Sequence, residues 1–287
     1  MKSWMLFVAA VSLGMLSNSA IAQDAPKPDT PPKTNADKLA ASRFDLMLSR
    51  VGEIRVKPLS ASKGFPEKLN ERPILRYSDP ARGYVGAAVW KLGAEGRAKA
   101  LITTELWRDF NGKPSIVYEQ LSLTATPFSA SSNDMRWQPT ESALAFQKLP
   151  NAPAPDASAQ RRLLQVKALA KRFAASEVEQ KEKYELRLLP QPVDRYVPSS
   201  AEHADGALFF FVFGTNPEIA LFIESDGQQW SYAAGRLSGA MQLEMTLDER
   251  PAWKGSPVKY AFDQTYTFSS GDAVIPGIAA DGSESTE

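Results

Sequence analysis

"DGALFFFVFGTNPEIALFIESDG", residues 205–227, sets two apolar runs back to back around a polar tetrapeptide. Phe209 to Phe213 precedes "GTNP" and Ile219 to Ile223 follows it. Each run is about half the length of a strand that crosses a bilayer in a barrel, and no long series of alternating strands surrounds them. Gly214 frees the backbone, and Pro217 fixes its own φ while pushing Asn216 out of the helical region, so a hairpin is expected. Neither run alternates, so both faces must leave water. This hairpin is then the central pair of a sheet, with a second sheet on one side and a helix on the other. Its polar ends, Asp205, Asn216, Glu218 and Glu224, are places to look for function.

Working outward, other segments alternate and have one wet face: Tyr184, Leu186 and Leu188; Met241, Leu243, Met245 and Leu247; and Tyr260, Phe262, Tyr266 and Phe268. Asp79-Pro80 and Gly83 mark a turn before an extended run from Tyr84 to Leu92. Asn111-Gly112 suits a two-residue type I′ hairpin. That register pairs Leu106 with Val117 and Glu105 with Tyr118, and turns Glu105 and Glu119 to opposite faces. In "DASAQRRLLQVKALAKRFAASEVEQ", Leu163, Val166, Ala170 and Phe173 share one face of an amphipathic helix that Asp156 or Ser158 caps. A further helix is expected over 36–50 from Leu39, Leu46 and Met47. The fold expected is mainly β (α+β): two packed antiparallel sheets, sandwich-like, with one long amphipathic helix covering a sheet face.

The first 22 residues read as a secretory signal: Lys2, an apolar stretch to Leu16, and Ala20-Ile21-Ala22 before a cleavage point. Residues 23–35 read as a disordered linker, 36–269 as a single β-rich domain, and 270–287 as a disordered tail. The chain is expected to be secreted or periplasmic, with no transmembrane segment after cleavage. Without Lys2, 32 basic residues face 33 acidic ones, which gives no electrostatic case for nucleic acid. No Cys is present, so the core must stabilise the fold without disulfides.

The stretches "ILRYSDPARG", "RLLQVKALAKRF", "YELRLLPQPVDRY" and "DGALFFFVFGTNPEIALFIE", in that order, resemble a family of exported, uncharacterised proteins of planctomycete bacteria. The resemblance covers about residues 73–235 and implies export and an intact single unit. It implies no activity and carries over no catalytic residue.

Chemistry is constrained by what the chain lacks. His203 is the single histidine, which with no Cys argues against zinc. Ser199, Ser200, His203 and Asp205 lie close together, yet no G-x-S-x-G turn is present. No nucleotide-binding glycine motif or calcium-loop pattern appears, so no cofactor and no metal are expected. Two carboxylates suffice for glycoside hydrolysis, and Glu105, Glu119, Glu218 and Glu224 are the candidates. Arg76, Asp79, Arg82, Arg195 and Tyr196 could form a concave site for a carbohydrate or an anion, since guanidinium forks and flat rings suit both. The plainer reading has Asp79 pairing Arg76 or Arg82, and Arg195 pairing Asp194 or Asp205. Trp90, Trp107, Trp137, Trp230 and Trp253 read as core or half-core. The expected function is a non-catalytic binding or structural module of the envelope or extracellular space. The alternatives are a polysaccharide-directed two-carboxylate hydrolase, and an envelope assembly component with an exposed β edge.

Overall fold

The computed structural model describes residues 34–108, 112–179, 181–239, 242–281 and 283. The expected signal segment, most of the linker, and Phe110 and Asn111 lie outside them. The chain begins with α1 (Asn35–Gly52), β1 (Arg55–Pro58), β2 (Leu75–Asp79), β3 (Tyr84–Leu92), β4 (Ala100–Arg108) and β5 (Pro114–Ser122). It continues through β6 (Phe128–Ser131), β7 (Arg136–Trp137), β8 (Gln147–Lys148), α2 (Ala159–Ala170), β9 (Phe173–Glu179), β10 (Glu182–Leu188) and β11 (Asp194–Tyr196). The rest is β12 (Ala204–Phe213), β13 (Asn216–Asp226), β14 (Trp230–Arg236), β15 (Gln242–Leu247), β16 (Arg250–Lys254) and β17 (Tyr266–Asp272).

The opening stretch is β12 and β13, and these strands lie in the middle of a nine-stranded sheet, β16-β15-β9-β10-β12-β13-β14-β8 with β11 also paired to β12. Phe213 pairs with Asn216, so the turn is Gly214-Thr215, with Gly214 at φ 57°, and Pro217 already belongs to the strand. A register shift at Phe211/Val212 accommodates that proline at the hairpin end. Both faces are dry. Phe209, Phe211, Ile219, Leu221 and Ile223 pack with Val166, Leu169 and Ala170 of α2. Leu208, Phe210, Val212, Ala220 and Phe222 pack instead with Val89, Leu101 and Leu121 of the second sheet. That sheet is five-stranded, in the order β17-β5-β4-β3-β2. Its other face carries Trp90, Ile102, Leu106 and Tyr118 and is covered by Met47 and Val51 of α1. A small sheet, β1-β6-β7, completes that core through Val56, Phe128 and Trp137.

The expected mainly β, α+β architecture of packed antiparallel sheets is therefore present, with two covering helices rather than one. Thr34 and Asp37 form a reciprocal capping box on α1. α2 is shorter than expected. It stops at Ala170, and Phe173 opens β9, where "FAASEVE" pairs with β10 and β15 on its two sides. The tail from residue 270 packs in part, since β17 runs to Asp272 and Ala273, Ile275 and Ile278 are buried beneath α1. No helix among the described residues is long and apolar enough to cross a membrane.

Candidate functional site

The register of β4 and β5 decides where two of the candidate acids point. Arg108 pairs with Pro114, Leu106 with Ile116, Glu105 with Val117 and Thr103 with Glu119. This is one residue away from the register expected of a two-residue Asn-Gly loop, and the connection spans residues 109–113. Pro114, which has no N–H, is tolerated as the first residue of a strand rather than inside the ladder. A one-residue slip exchanges faces. Glu105 and Glu119 therefore share a face as diagonal cross-strand neighbours, about 7–8 Å apart by ordinary sheet geometry.

That face looks into the junction between the two large sheets, and Glu218 of β13 reaches it from the other side. Glu105, Glu119 and Glu218 are 3%, 8% and 2% exposed. The Tyr77 hydroxyl lies 2.6 Å from Glu105 Oε1 and 2.9 Å from Asn216 Oδ1. Tyr266 donates its hydroxyl to Glu119 Oε1 at 2.9 Å. Arg82 is delivered by the Asp79-Pro80 turn and reaches Glu218 at 3.2 Å, Glu177 at 3.6 Å and Asp79 at 4.0 Å, with its guanidinium over the Phe213 ring. Glu177, buried on β9, lies within hydrogen-bond reach of Glu218. Two carboxyl groups meet that way only when one of them carries a proton.

Burial dominates the electrostatics. It raises Glu105 from 4.5 to about 7, with Glu218 adding to the rise while the Tyr77 hydrogen bond and Arg82 oppose it. Glu119 is raised well above the ordinary range by burial, then by Glu105 and Glu218. Glu218 is also raised by burial, against the hydrogen bond of Ser238 and the charge of Arg82. Raised proton affinity of this kind is a property of a general acid. These acids are nonetheless sealed between sheets. None of them lines the cleft flanked by Arg97, Lys99 and Phe146 or the one described next. Among the described residues, no group of three or more His, Asp or Glu is placed to hold a metal ion.

The second cleft, about 110 Å³, opens where β14, the end of β16 and the start of β17 meet. Arg236, Trp253, Lys254, Lys259, Gln264 and Tyr266 line it. Arg236 is nearly buried, donates to Ser238 O at 3.0 Å and stands 5.9 Å from the Tyr266 ring centroid. A Cβ at Gly255 would sit 2.9 Å from Arg236 Nη2, so only a bare backbone leaves room there. Beside the cleft, Tyr260 and Phe262 belong to a non-strand segment before β17 and are 69% and 46% exposed, contrary to the alternation expected of them as one buried strand face. Pro257 interrupts the ladder, and "SPVKYAFDQT" runs over the surface. Tyr260 meets Phe268 edge-on, with centroids 4.9 Å apart, and Arg136 lies over Phe262.

The arginine site expected from the sequence is not assembled. Arg76 stacks on Phe44 of α1, on the far face of the five-stranded sheet. Arg82, with Asp79, belongs to the carboxyl junction. Arg195 binds Asp205, which Arg162 also holds through Nε at 2.9 Å, and donates to Ala159 O at the start of α2. Tyr196 donates to Glu224 Oε1 at 2.8 Å, and Arg97 approaches the same carboxylate, so Glu224 stands apart from the other three acids. His203 sits beside Glu202 in the turn before β12. Sequence reasoning missed Glu177, placed in a helix, and Tyr260 and Lys259, placed in a strand. The signal that could have found the last two was Pro257. No family model, no curated protein and no solved structure matches the chain.

Proposed function

We propose that this chain is an exported, non-catalytic binding module of the cell envelope or extracellular space. One observation carries the non-catalytic part: the acids brought together, Glu105, Glu119, Glu177 and Glu218, are at most 8% exposed and line neither of the clefts described above. A glycosidase needs two carboxyl groups flanking a bond with water admitted between them. Those two clefts instead carry Arg, Lys and aromatic side chains among their lining. Export rests on the pattern before residue 23, and the N-terminus of protein recovered from an expressing cell is expected to be Gln23.

The hydrolase reading retains one specific point in its favour, the high proton affinity of Glu105 and Glu119 on one face. A reducing-end assay on neutral and acidic polysaccharides decides between the two. The binding reading expects no release above buffer. Release that Glu105→Gln or Glu119→Gln abolishes would replace it with hydrolysis.

A further inference from the structure

We infer that the cleft of Arg236, Lys254 and Lys259 is a subsite for an acidic saccharide, one bearing carboxylate or sulfate, with a sugar ring laid on Tyr260. The inference rests on the binding reading and gives it a ligand class. Three cations line one opening, where Glu244 pairs with Lys254 at 3.2 Å, Asp263 accepts from the lining Gln264, and Glu119 and Glu218 face Arg236 from the buried side. The Glu244–Lys254 pair is exposed and weakly held, so Lys254 can exchange partners. Lys259 is exposed beside the cleft. Arg236 supplies a guanidinium oriented by its bond to Ser238 O, with room left for it by the bare backbone of Gly255. The cleft has room for about three or four waters, which suits one anionic substituent with its ring left outside.

The ring has its own seat. Tyr260 is the most exposed aromatic side chain beside the cleft, is braced edge-on by Phe268, and lies close enough to Arg236 to feel its charge. An exposed, braced ring next to a cationic opening is costly to leave in water and is the arrangement that stacks on the apolar face of a pyranose. Half-buried Trp253 adds a second aromatic wall. An acidic peptide would use the cations and leave the ring idle, and a lipid surface would require a broader apolar patch.

The test is titration of the whole mature protein at pH 7, followed by calorimetry and by Trp fluorescence. The probes are oligogalacturonate, dextran sulfate, neutral dextran, poly-glutamate and phosphatidylglycerol vesicles. Oligogalacturonate or dextran sulfate should bind, with whichever is tighter naming the anion, and neutral dextran should not. Tyr260→Ala and Lys259→Glu should each weaken binding at least tenfold, while Lys63→Glu, outside the cleft, changes it less than twofold. Both test positions are exposed, and an unchanged thermal midpoint confirms folding. Polyanion binding that ignores Tyr260→Ala, or equal affinity for poly-glutamate or the vesicles, overturns the saccharide subsite. Neutral dextran binding that neither variant affects overturns the cleft assignment while leaving a binding module in place. No binding to any probe also overturns the subsite, and the reducing-end assay judges the broader reading separately.

Discussion

Replacing Glu105 by Gln keeps the shape of the side chain and its capacity to accept from Tyr77 while removing its charge. In the folded protein this carboxyl titrates near 7 instead of 4.5, chiefly because it is buried. Below 4.5 it is neutral whether folded or unfolded, and it adds no pH dependence. Between 4.5 and 7 the unfolded chain releases the proton and the folded chain keeps it, so stability falls as pH rises, by about 1.4 kcal/mol per pH unit. Above 7 both states are ionised and the loss is constant, at about 3 kcal/mol for this displacement. Glu105→Gln should therefore match the native chain near pH 4.5 and exceed it by up to about 3 kcal/mol at pH 8. Glu119 should also lose part of its raised proton affinity, since Glu105 contributes to it. Urea unfolding of both proteins at pH 4.5, 6, 7 and 8, read as the difference in extrapolated stability, measures this directly. A difference that stays constant over that range, or a variant less stable at pH 8, refutes the buried-acid account of the junction.

Arg82→Ala should destabilise the fold by about 3 kcal/mol at pH 8, since it strips the cation from Glu218 and Glu177, and by less at pH 5, because burial raises the proton affinity of Glu218. Chemical denaturation at the two pH values checks both halves. Leu169→Ala should cost about 2–5 kcal/mol, because that side chain is buried against the β12–β13 hairpin. Leu164→Ala, on the exposed face of α2, should stay within about 0.5 kcal/mol. The reverse ordering in thermal unfolding would place the helix on the wrong face.

The double apolar run was readable because a strand dry on both sides has no other physical explanation, and its two neighbours followed from it. The α1 and β3 positions were readable from local pattern alone. Register was not. Asn111-Gly112 favours a tight turn locally, but Pro114 moves the first ladder pair, and one residue of slip carries Glu119 from one face to the other. The end of α2 was also hidden, because Phe173 continues the helical apolar spacing while serving as the first inward residue of β9. Tyr260 and Phe262 alternate as a strand does, and only the tertiary path past Pro257 leaves them in water. The arginine site failed for a related reason. Arg76, Arg82 and Arg195 are near turns in sequence, but side-chain parity and chain path send them to three separate places.

Two buried charge clusters in this fold solve the same problem differently. At one, Asp205 is matched by two guanidinium groups, Arg162 and Arg195, whose remaining donors find carbonyls at the start of α2. At the other, Glu105, Glu119, Glu177 and Glu218 face the guanidinium groups of Arg82 and Arg236, and among the described residues Glu119 Oε2 and Thr103 Oγ1 have no hydrogen-bond partner. Full ionisation would set four negative charges against two guanidinium groups between the sheets, at a cost of several kcal/mol. The junction is thus balanced by protons where the Asp205 cluster is balanced by cations. A sheet packing that requires bound protons holds best at mildly acid pH and loosens as they leave. Tyr266 and Arg236 belong to both places, lining the cleft while facing the acids of the junction.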